Sequence, residues 1–330
     1  MSDLSFLRPA GQAGFVDSGI TKAADLVNRC EAAPIDGPII LGAPLSKPSI
    51  SHSGASFAPE AIRKMLSSFT TYAVEDDIDL KGIKLHDCGD ILMHVTDIRE
   101  SQQRIETTVA ALFNQNPGIM PILFGGDHSV SCPSIKGFAK AKGNVGVIQF
   151  DAHHDLRNLE DGGPSNGTPF RGLLESGVLT GENLIQIGIR NFSNSKHYSR
   201  YGMEEGVTVY TMKDIRNRAL EDIIKESLNR LEDRVDAVYV SVDMDVLDQS
   251  QAPGCPALGP GGMDSRTLLE GVRRLAEDPL VQGMDIVEID PTQDFRNMTS
   301  RIAAHVVLNF LTGKLAAGQL GVQDSQKAGT

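Results

Sequence analysis

Two short acidic stretches, each directly after an apolar run, constrain this chain more than any other feature of its sequence. The run 145–150 leads into 151–155 (DAHHD), and the run 237–240 leads into 241–245 (SVDMD). Apolar runs of this length are typical of buried parallel strands, where burying a charged side chain costs free energy. Carboxylates and imidazoles gathered where two such strands end would repel one another, and a bound cation removes that cost. We therefore predict a metal site at these strand ends.

A third polar motif joins the first two. Residues 125–129 (GGDHS) follow the apolar run 120–124, and their paired glycines allow a tight turn off the end of a strand. Because open α/β sheets bind ligands outside the carboxyl ends of their strands, we expect His128 to lie beside the two acidic motifs. The candidate ligands are two imidazoles and four carboxylates: His128, Asp151, His153, Asp155, Asp243 and Asp245.

This ligand set favours a two-metal centre. Six nitrogen and oxygen ligands with no thiolate are too many for one tetrahedral zinc ion and suit manganese or a similar divalent ion. Two ions that share carboxylates would use all six and would activate a bridging water as hydroxide at neutral pH. A lone Asp-x-His usually binds no metal, and an aspartate after a strand is often only a helix N-cap. The joint occurrence of three motifs favours the metal site, and we leave His154 outside the ligand set.

The rest of the chain alternates between strand and helix patterns. The apolar runs fall at 39–41, 122–124, 145–150, 184–189, 207–210, 237–240 and 286–289. Between them, residues 220–231 and 268–275 repeat apolar side chains at helical spacing. This alternation predicts an α/β fold with a mostly parallel sheet and helices on both faces. We expect one domain over 1–330, with a peripheral segment at 1–36 and a loose tail from about 319.

Charge and cysteine usage limit the partners of the protein. The net charge of -12 argues against nucleic acid or an anionic membrane, and no apolar stretch approaches the length of a membrane span. Four cysteines without paired spacing, together with the lack of a recognisable signal peptide, predict a reduced cytoplasmic protein. We expect its partner to be a small-molecule substrate.

The three motifs resemble those of the arginase–agmatinase superfamily, the ureohydrolases, and the similarity runs from about residue 38 to 313. The segment 248–254 (DQSQAPG) is similar to that family's signature as well. Within the superfamily the chain most resembles the formimidoylglutamases, through four segments: 51–62, 155–157, 162–171 and 252–262.

The resemblance implies a fold and an activity. The fold would be an arginase-like three-layer sandwich around a mostly parallel sheet of about eight strands. The activity would be the hydrolysis of N-formimidoyl-L-glutamate to L-glutamate and formamide in histidine degradation, with two Mn²⁺ per subunit. Members of this family often form homo-oligomers, so the resemblance also implies a trimer or hexamer.

The resemblance also implies roles for the ligands. One ion would bind His128, Asp151, Asp155 and Asp243, and the other would bind Asp151, His153, Asp243 and Asp245. Glu288 matches the family glutamate that holds the amidine or guanidine group of the substrate. The residues alone agree, because a carboxylate after an apolar run faces the same sheet edge and can hold a planar amidinium through paired hydrogen bonds.

One departure from arginase concerns proton transfer. Arginases carry a proton-shuttling histidine in the loop after the second motif, whereas residues 164–171 contain none and Asn166 lies near its place. This argues against arginase itself as the function. Asp155, a second catalytic candidate beside Glu288, or a bulk water would then protonate the leaving amine.

The substrate carboxylates call for cationic residues. Arg157, Arg171 and Arg190 follow Asp155 at or near predicted strand-end loops, and an arginine fork suits a carboxylate. With Asn166 they form the predicted substrate-binding set, although each arginine could instead pair with a structural aspartate.

Two other functions stay open at this point. One is a ureohydrolase that acts on agmatine or guanidinobutyrate and releases urea; it would not need cations for two carboxylates. The other is a metal-binding interaction protein without turnover, against which the intact ligand set and Glu288 count.

Overall fold

The computed structural model describes residues 17–30 and 34–321. Its strands, numbered along the chain, are β1 (Val27–Arg29), β2 (Gly37–Ala43), β3 (Tyr72–Ala73), β4 (Ile78–Asp79), β5 (Leu85–Asp90), β6 (Ile119–Gly125), β7 (Val145–Phe150), β8 (Leu184–Ile189), β9 (Thr208–Thr211), β10 (Ala237–Asp243) and β11 (Val281–Val287). Its α-helices are α1 (Ala58–Leu66), α2 (Ile98–Gln115), α3 (Ser131–Lys142), α4 (Pro169–Glu175), α5 (Lys196–Glu204), α6 (Met212–Asn217), α7 (Leu220–Leu231), α8 (Ser265–Ala276) and α9 (Met298–Ala316).

A single large sheet organises the molecule. Within the described residues it has nine strands in the order β1-β5-β2-β6-β11-β10-β7-β8-β9. Every neighbouring pair in it is parallel. The strands β3 and β4 form a separate antiparallel pair. The predicted parallel sheet is therefore confirmed, with nine strands in place of about eight.

Helices cover both faces of this sheet. The core on one face joins strand side chains to α1, α7, α8 and α9. The core on the other face joins the opposite strand side chains to α2, α3 and α4. The helical spacing predicted for α7 is confirmed, because Ile223, Ile224, Leu228 and Leu231 are all buried. Three layers result, as the sequence predicted.

The apolar runs belong to strands that are covered on both sides. Every residue of β7, β8 and β10 is buried, which explains why these strands do not alternate between apolar and polar residues. In the sheet β6, β11, β10 and β7 are consecutive. Because all four run in the same direction, the polar segments that follow them emerge side by side at one edge.

The predicted peripheral segment and tail lie partly outside the described residues. Within residues 1–36, a 3-10 turn at Ala23–Leu26 leads into β1, which pairs with β5 at the edge of the sheet. Residues 1–16, 31–33 and 322–330 are outside the description, and their predicted character stays a prediction. In the part of the chain that is described, no helix has both the length and the apolar character that crossing a membrane would require.

Candidate metal centre

Four polar segments meet where β6, β11, β10 and β7 end. After β6 the chain turns at Gly126, where a Cβ atom would lie 1.8 Å from the carbonyl oxygen of Leu45, so only glycine fits. The turn brings His128 into a short 3-10 helix. Asp151 follows β7, Asp243 ends β10, and Glu288 follows β11. The structure therefore brings these four side chains to one edge of the sheet.

The first ligand group surrounds one imidazole nitrogen. Nδ1 of His128 lies 3.1 Å from Oδ2 of Asp151, 2.9 Å from Oδ2 of Asp155 and 3.0 Å from Oδ2 of Asp243. A ring nitrogen can donate only one hydrogen bond, yet three carboxylate oxygens converge on this one. Such convergence fits a cation held between the nitrogen and the oxygens.

The second ligand group shares Asp151 with the first. Nδ1 of His153 lies 2.9 Å from Oδ2 of Asp245 and 3.5 Å from Oδ1 of Asp151. Asp151 therefore turns one carboxylate oxygen toward each group, as a bridging ligand would. Asp243 belongs to the first group, and its Oδ1 accepts a hydrogen bond from the backbone N–H of Asp245. We predicted that Asp243 would also contact the second ion, but Asp243 is not a member of the second ligand group.

The electrostatics of the cluster also fit divalent cations. Burial raises the pKa of Asp243 well above its usual range, and the negative charges of Asp245 and Asp151 raise it further. Burial and the charge of Asp151 raise the pKa of Asp155 to about 6. Nδ1 of His128 is buried and has no hydrogen-bond partner of acceptable geometry. Cations among these groups would compensate the repulsion and use that nitrogen, so the residues suit a metal centre.

Glu288 lies beside the ligands but outside both groups. Its Oε1 accepts hydrogen bonds from the backbone N–H of His128 at 2.8 Å and from Nδ2 of Asn166 at 3.0 Å. Its Oε2 is buried and has no partner within the described residues. Burial raises the pKa of Glu288 to about 8, and the nearby charge of Asp127 adds to this. A cationic group that reached Oε2 would satisfy this oxygen and favour the ionised carboxylate.

A cavity of about 430 Å³ opens onto these groups. Its wall includes residues of both ligand groups, Glu288 and a set of neutral donors: Ser51, Asn166, Ser193, Asn194, Ser195 and Tyr198. Arg157 lines it as well, and its side chain is exposed. Asn166 is held by Glu288 and by the backbone N–H of Ile50, which donates to its Oδ1 at 3.0 Å. Asn166 therefore lies at the cavity wall and also orients Glu288.

The side chains of the other two predicted arginines contact other parts of the protein. The guanidinium of Arg171 is 3.6 Å from the ring centre of Tyr201 and pairs with Glu175. Nη1 of Arg190 donates to the carbonyl oxygen of Leu247 at 3.2 Å, where it supports the loop after β10. Among the described residues that line the cavity, neither is present.

Sequence reasoning missed several polar residues that support the ligands. Gln149, Gln186 and Asp285 are fully buried within strands, and His154 is held through both ring nitrogens, by Gln186 and Ser199. The usable signal was a single amide or carboxylate inside an otherwise apolar run, because such a group must find a buried partner.

A larger cavity of about 880 Å³ lies between α7 and α8, and none of the three motifs contributes to its wall. Three of the arginines at its wall are already paired: Arg218 with Glu226, Arg273 with Asp76, and Arg274 with Glu277. Because most of the arginines at its wall are paired locally, this cavity offers no comparable collection of reactive groups among the described residues.

Comparison with known proteins agrees with this geometry. Residues 37–313 match the family model described as "Arginase family". The chain is 62% identical to the formimidoylglutamase of Halalkalibacterium halodurans, over 95% of this chain and 98% of that protein. It is 33% identical to the agmatinase of Bacillus anthracis, over 83% of this chain and 91% of that protein.

A solved structure matches as well. The crystal structure of formimidoylglutamase from Bacillus subtilis superposes with a TM-score of 0.91 at 51% identity, covering 94% of this chain and 96% of that one. With a family model that spans most of its length and relatives this similar, the chain belongs to the arginase family.

Proposed function

We propose that this protein is a formimidoylglutamase, which hydrolyses N-formimidoyl-L-glutamate to L-glutamate and formamide. The observation that carries the proposal is the partnerless, buried Oε2 of Glu288 beside two metal-ligand groups. An amidinium is planar and cationic, so it can satisfy that oxygen through charge-assisted hydrogen bonds. The 62% identity with a curated formimidoylglutamase supports this substrate over a guanidino compound.

Two Mn²⁺ ions are the proposed cofactors. His128, Asp151, Asp155 and Asp243 would hold one ion, and Asp151, His153 and Asp245 would hold the other. When bound, the ions would lower the pKa of a shared water and supply a hydroxide nucleophile at neutral pH. Ligands made of oxygen and imidazole without thiolate suit manganese or a similar divalent ion, and a formiminoglutamase of Trypanosoma cruzi has been solved with Mn²⁺.

The chain's own residues would orient the substrate and move a proton. Glu288 would hold the amidinium so that its carbon faces the ligand groups. The water oxygen would then bond to that carbon, and the bond between the carbon and the glutamate nitrogen would break. The carbon keeps its other nitrogen, so the second product is formamide. Asp155 lines the cavity, and it would take a proton from the attacking water and pass it to the departing glutamate amine.

Product analysis tests this function directly. The manganese-loaded protein should release formamide and glutamate from N-formimidoyl-L-glutamate, measured by NMR, and no urea from agmatine or guanidinobutyrate. Urea from either guanidino compound, without formamide, would replace the proposed substrate and leave the metal centre in place. Two bound ions with no product from any of the three would support the interaction protein instead.

Arg157 is the proposed anchor for a substrate carboxylate, since it is the predicted arginine at the cavity wall. Loss of a charge-assisted contact costs on the order of 2 kcal/mol, so Arg157→Ala should lower kcat/KM for formimidoylglutamate about thirtyfold. The exposed Arg266, paired with Glu270, supplies a matched Arg→Ala control.

The same Ala substitution at Arg171 and Arg190 completes this test. We expect both to lose less kcat/KM than Arg157→Ala, because neither arginine lines the cavity. If Arg157→Ala behaves like Arg266→Ala, another group holds the carboxylates.

The remaining features stay predictions from the sequence and its resemblance. They are a cytoplasmic location, a homotrimer or homohexamer, and a small molecule as partner in place of nucleic acid or membrane.

A further inference from the structure

A row of polar side chains crosses the sheet near its carboxyl edge, one to three residues before each strand ends. Gln186 of β8 is in register with Gln149 of β7, Gln149 with Ser241 of β10, and Ser241 with Asp285 of β11. All four residues are fully buried. Four polar residues in register on four adjacent buried strands are costly unless each has a partner. We call these four residues the polar row.

One half of the polar row reaches Asp151. Nε2 of Gln149 donates to Oδ2 of Asp151 at 2.6 Å and to the carbonyl oxygen of His153 at 3.2 Å. Both protons of this amide are thus used on acceptors, and its oxygen faces Nε2 of Gln186 at 2.7 Å. The orientation of Gln149 is therefore fixed, since the reversed amide would place its oxygen against a carboxylate.

Gln186 extends this chain to His154. Nε2 of Gln186 also donates to the carbonyl oxygen of His154 at 2.8 Å, and its Oε1 lies 2.6 Å from Nδ1 of the same histidine. Because Oε1 can only accept, Nδ1 of His154 carries the proton. The two glutamines together hold the backbone of the loop that presents Asp151 and His153.

The other half of the polar row reaches His128. Nε2 of His128 lies 3.0 Å from Oγ of Ser241, and Ser241 donates to Oδ1 of Asp285 at 2.7 Å. Since the hydroxyl proton of Ser241 goes to Asp285, its oxygen accepts from Nε2 of His128. This arrangement places the proton on Nε2 and leaves Nδ1 of His128 for a metal ion.

We propose that the polar row positions two of the metal ligands. Gln149 orients Asp151, and Ser241 orients His128. The inference rests on the proposed metal centre. It has a specific consequence, because Asp151 belongs to both ligand groups whereas His128 belongs to one. Gln149 should therefore affect the binding of both ions, and Ser241 the binding of one.

The test measures Mn²⁺ affinity by titration, with free Mn²⁺ read by electron paramagnetic resonance. Loss of a group that supports a metal ligand typically costs 10–100-fold in metal affinity. Gln149→Met, which keeps the length and removes the donor, should weaken both binding steps by roughly this factor. Ser241→Ala should weaken one step by a similar factor and leave the other within about threefold of the parent.

Two variants control for the loss of a buried hydrogen bond as such. Ser227→Ala and Thr312→Val each remove a buried hydroxyl that donates to a helix carbonyl, on α7 and α9. They should lower the melting temperature and leave both Mn²⁺ affinities unchanged. If Gln149→Met does not fold, Gln186→Met breaks the chain one link further from Asp151 and should weaken both steps less strongly.

The outcomes separate this inference from the proposed function. Unchanged affinities in folded Gln149→Met and Ser241→Ala would overturn the positioning role while the metal centre stands. Equal weakening of both ions by both variants would overturn the division between them. A parent protein that binds two Mn²⁺ but forms no formamide would refute the proposed reaction alone, and one that binds none would refute both.

Discussion

Asp243→Asn should reduce bound Mn²⁺ from two ions to one per chain and lower turnover at least about a thousandfold. The side chain faces His128 through Oδ2, so the substitution removes a negative charge from the first ligand group. The amide keeps the shape of the carboxylate, and its oxygen can still accept the hydrogen bond from the backbone N–H of Asp245. Metal analysis of the reconstituted protein and a formamide assay measure the two effects.

The stability of the metal-free protein shows whether this loss is specific. Burial disfavours the ionised form of Asp243, so its charge costs stability at neutral pH when no cation compensates it. The asparagine variant without metal should therefore melt no lower than the parent. Its stabilisation by Mn²⁺ should be smaller, because a bound ligand stabilises only the state that holds it.

A remote cap provides the control for this substitution. Asp97 caps α2 by accepting from the backbone N–H of Glu100, far from the cavity, and Asp97→Asn should keep both ions and full turnover. Near-normal turnover with both ions in Asp243→Asn would show that Asp243 is not a metal ligand.

Parts of the fold and site could be predicted because they follow from the cost of burying charge. The acidic motifs lie at the ends of strands that are buried on both faces, so their positions in sequence already place them at one edge. By contrast β5, with the sequence LHDCGD, is only partly buried and lacks an apolar run, and it was not predicted. The short edge strand β1 was not predicted either, because it also lacks an apolar run.

The direction of a side chain was the part that the sequence did not reveal. Arg171 and Arg190 occupy plausible positions along the chain, but one packs on Tyr201 and the other supports the carbonyl of Leu247. Gln149 was read as part of an apolar run, because its meaning depends on which residue of the neighbouring strand is in register with it. Such pairings are set by the tertiary fold and not by local pattern.

Glu288→Gln should lower turnover of formimidoylglutamate by about two to four decades, if Glu288 acts like other positioning and electrostatic groups. The glutamine keeps an oxygen for the backbone N–H of His128 and for Asn166. In place of the partnerless Oε2 it presents an amide N–H₂, which repels the N–H groups of an amidinium. Steady-state kinetics of the manganese-loaded variant measure the loss.

Retention of both metals would distinguish a defect in holding the amidinium from a defect in the metal centre. Glu288 belongs to neither ligand group, so the variant should still bind two Mn²⁺ with parental affinity, unlike Asp243→Asn. Glu226→Gln, at an exposed glutamate paired with Arg218, controls for the substitution itself and should leave turnover intact. If Glu288→Gln lost an ion, its defect would follow from the metal centre. If it kept both ions and full turnover, the amidinium would have to be held by another group, and the buried Oε2 would need a different partner.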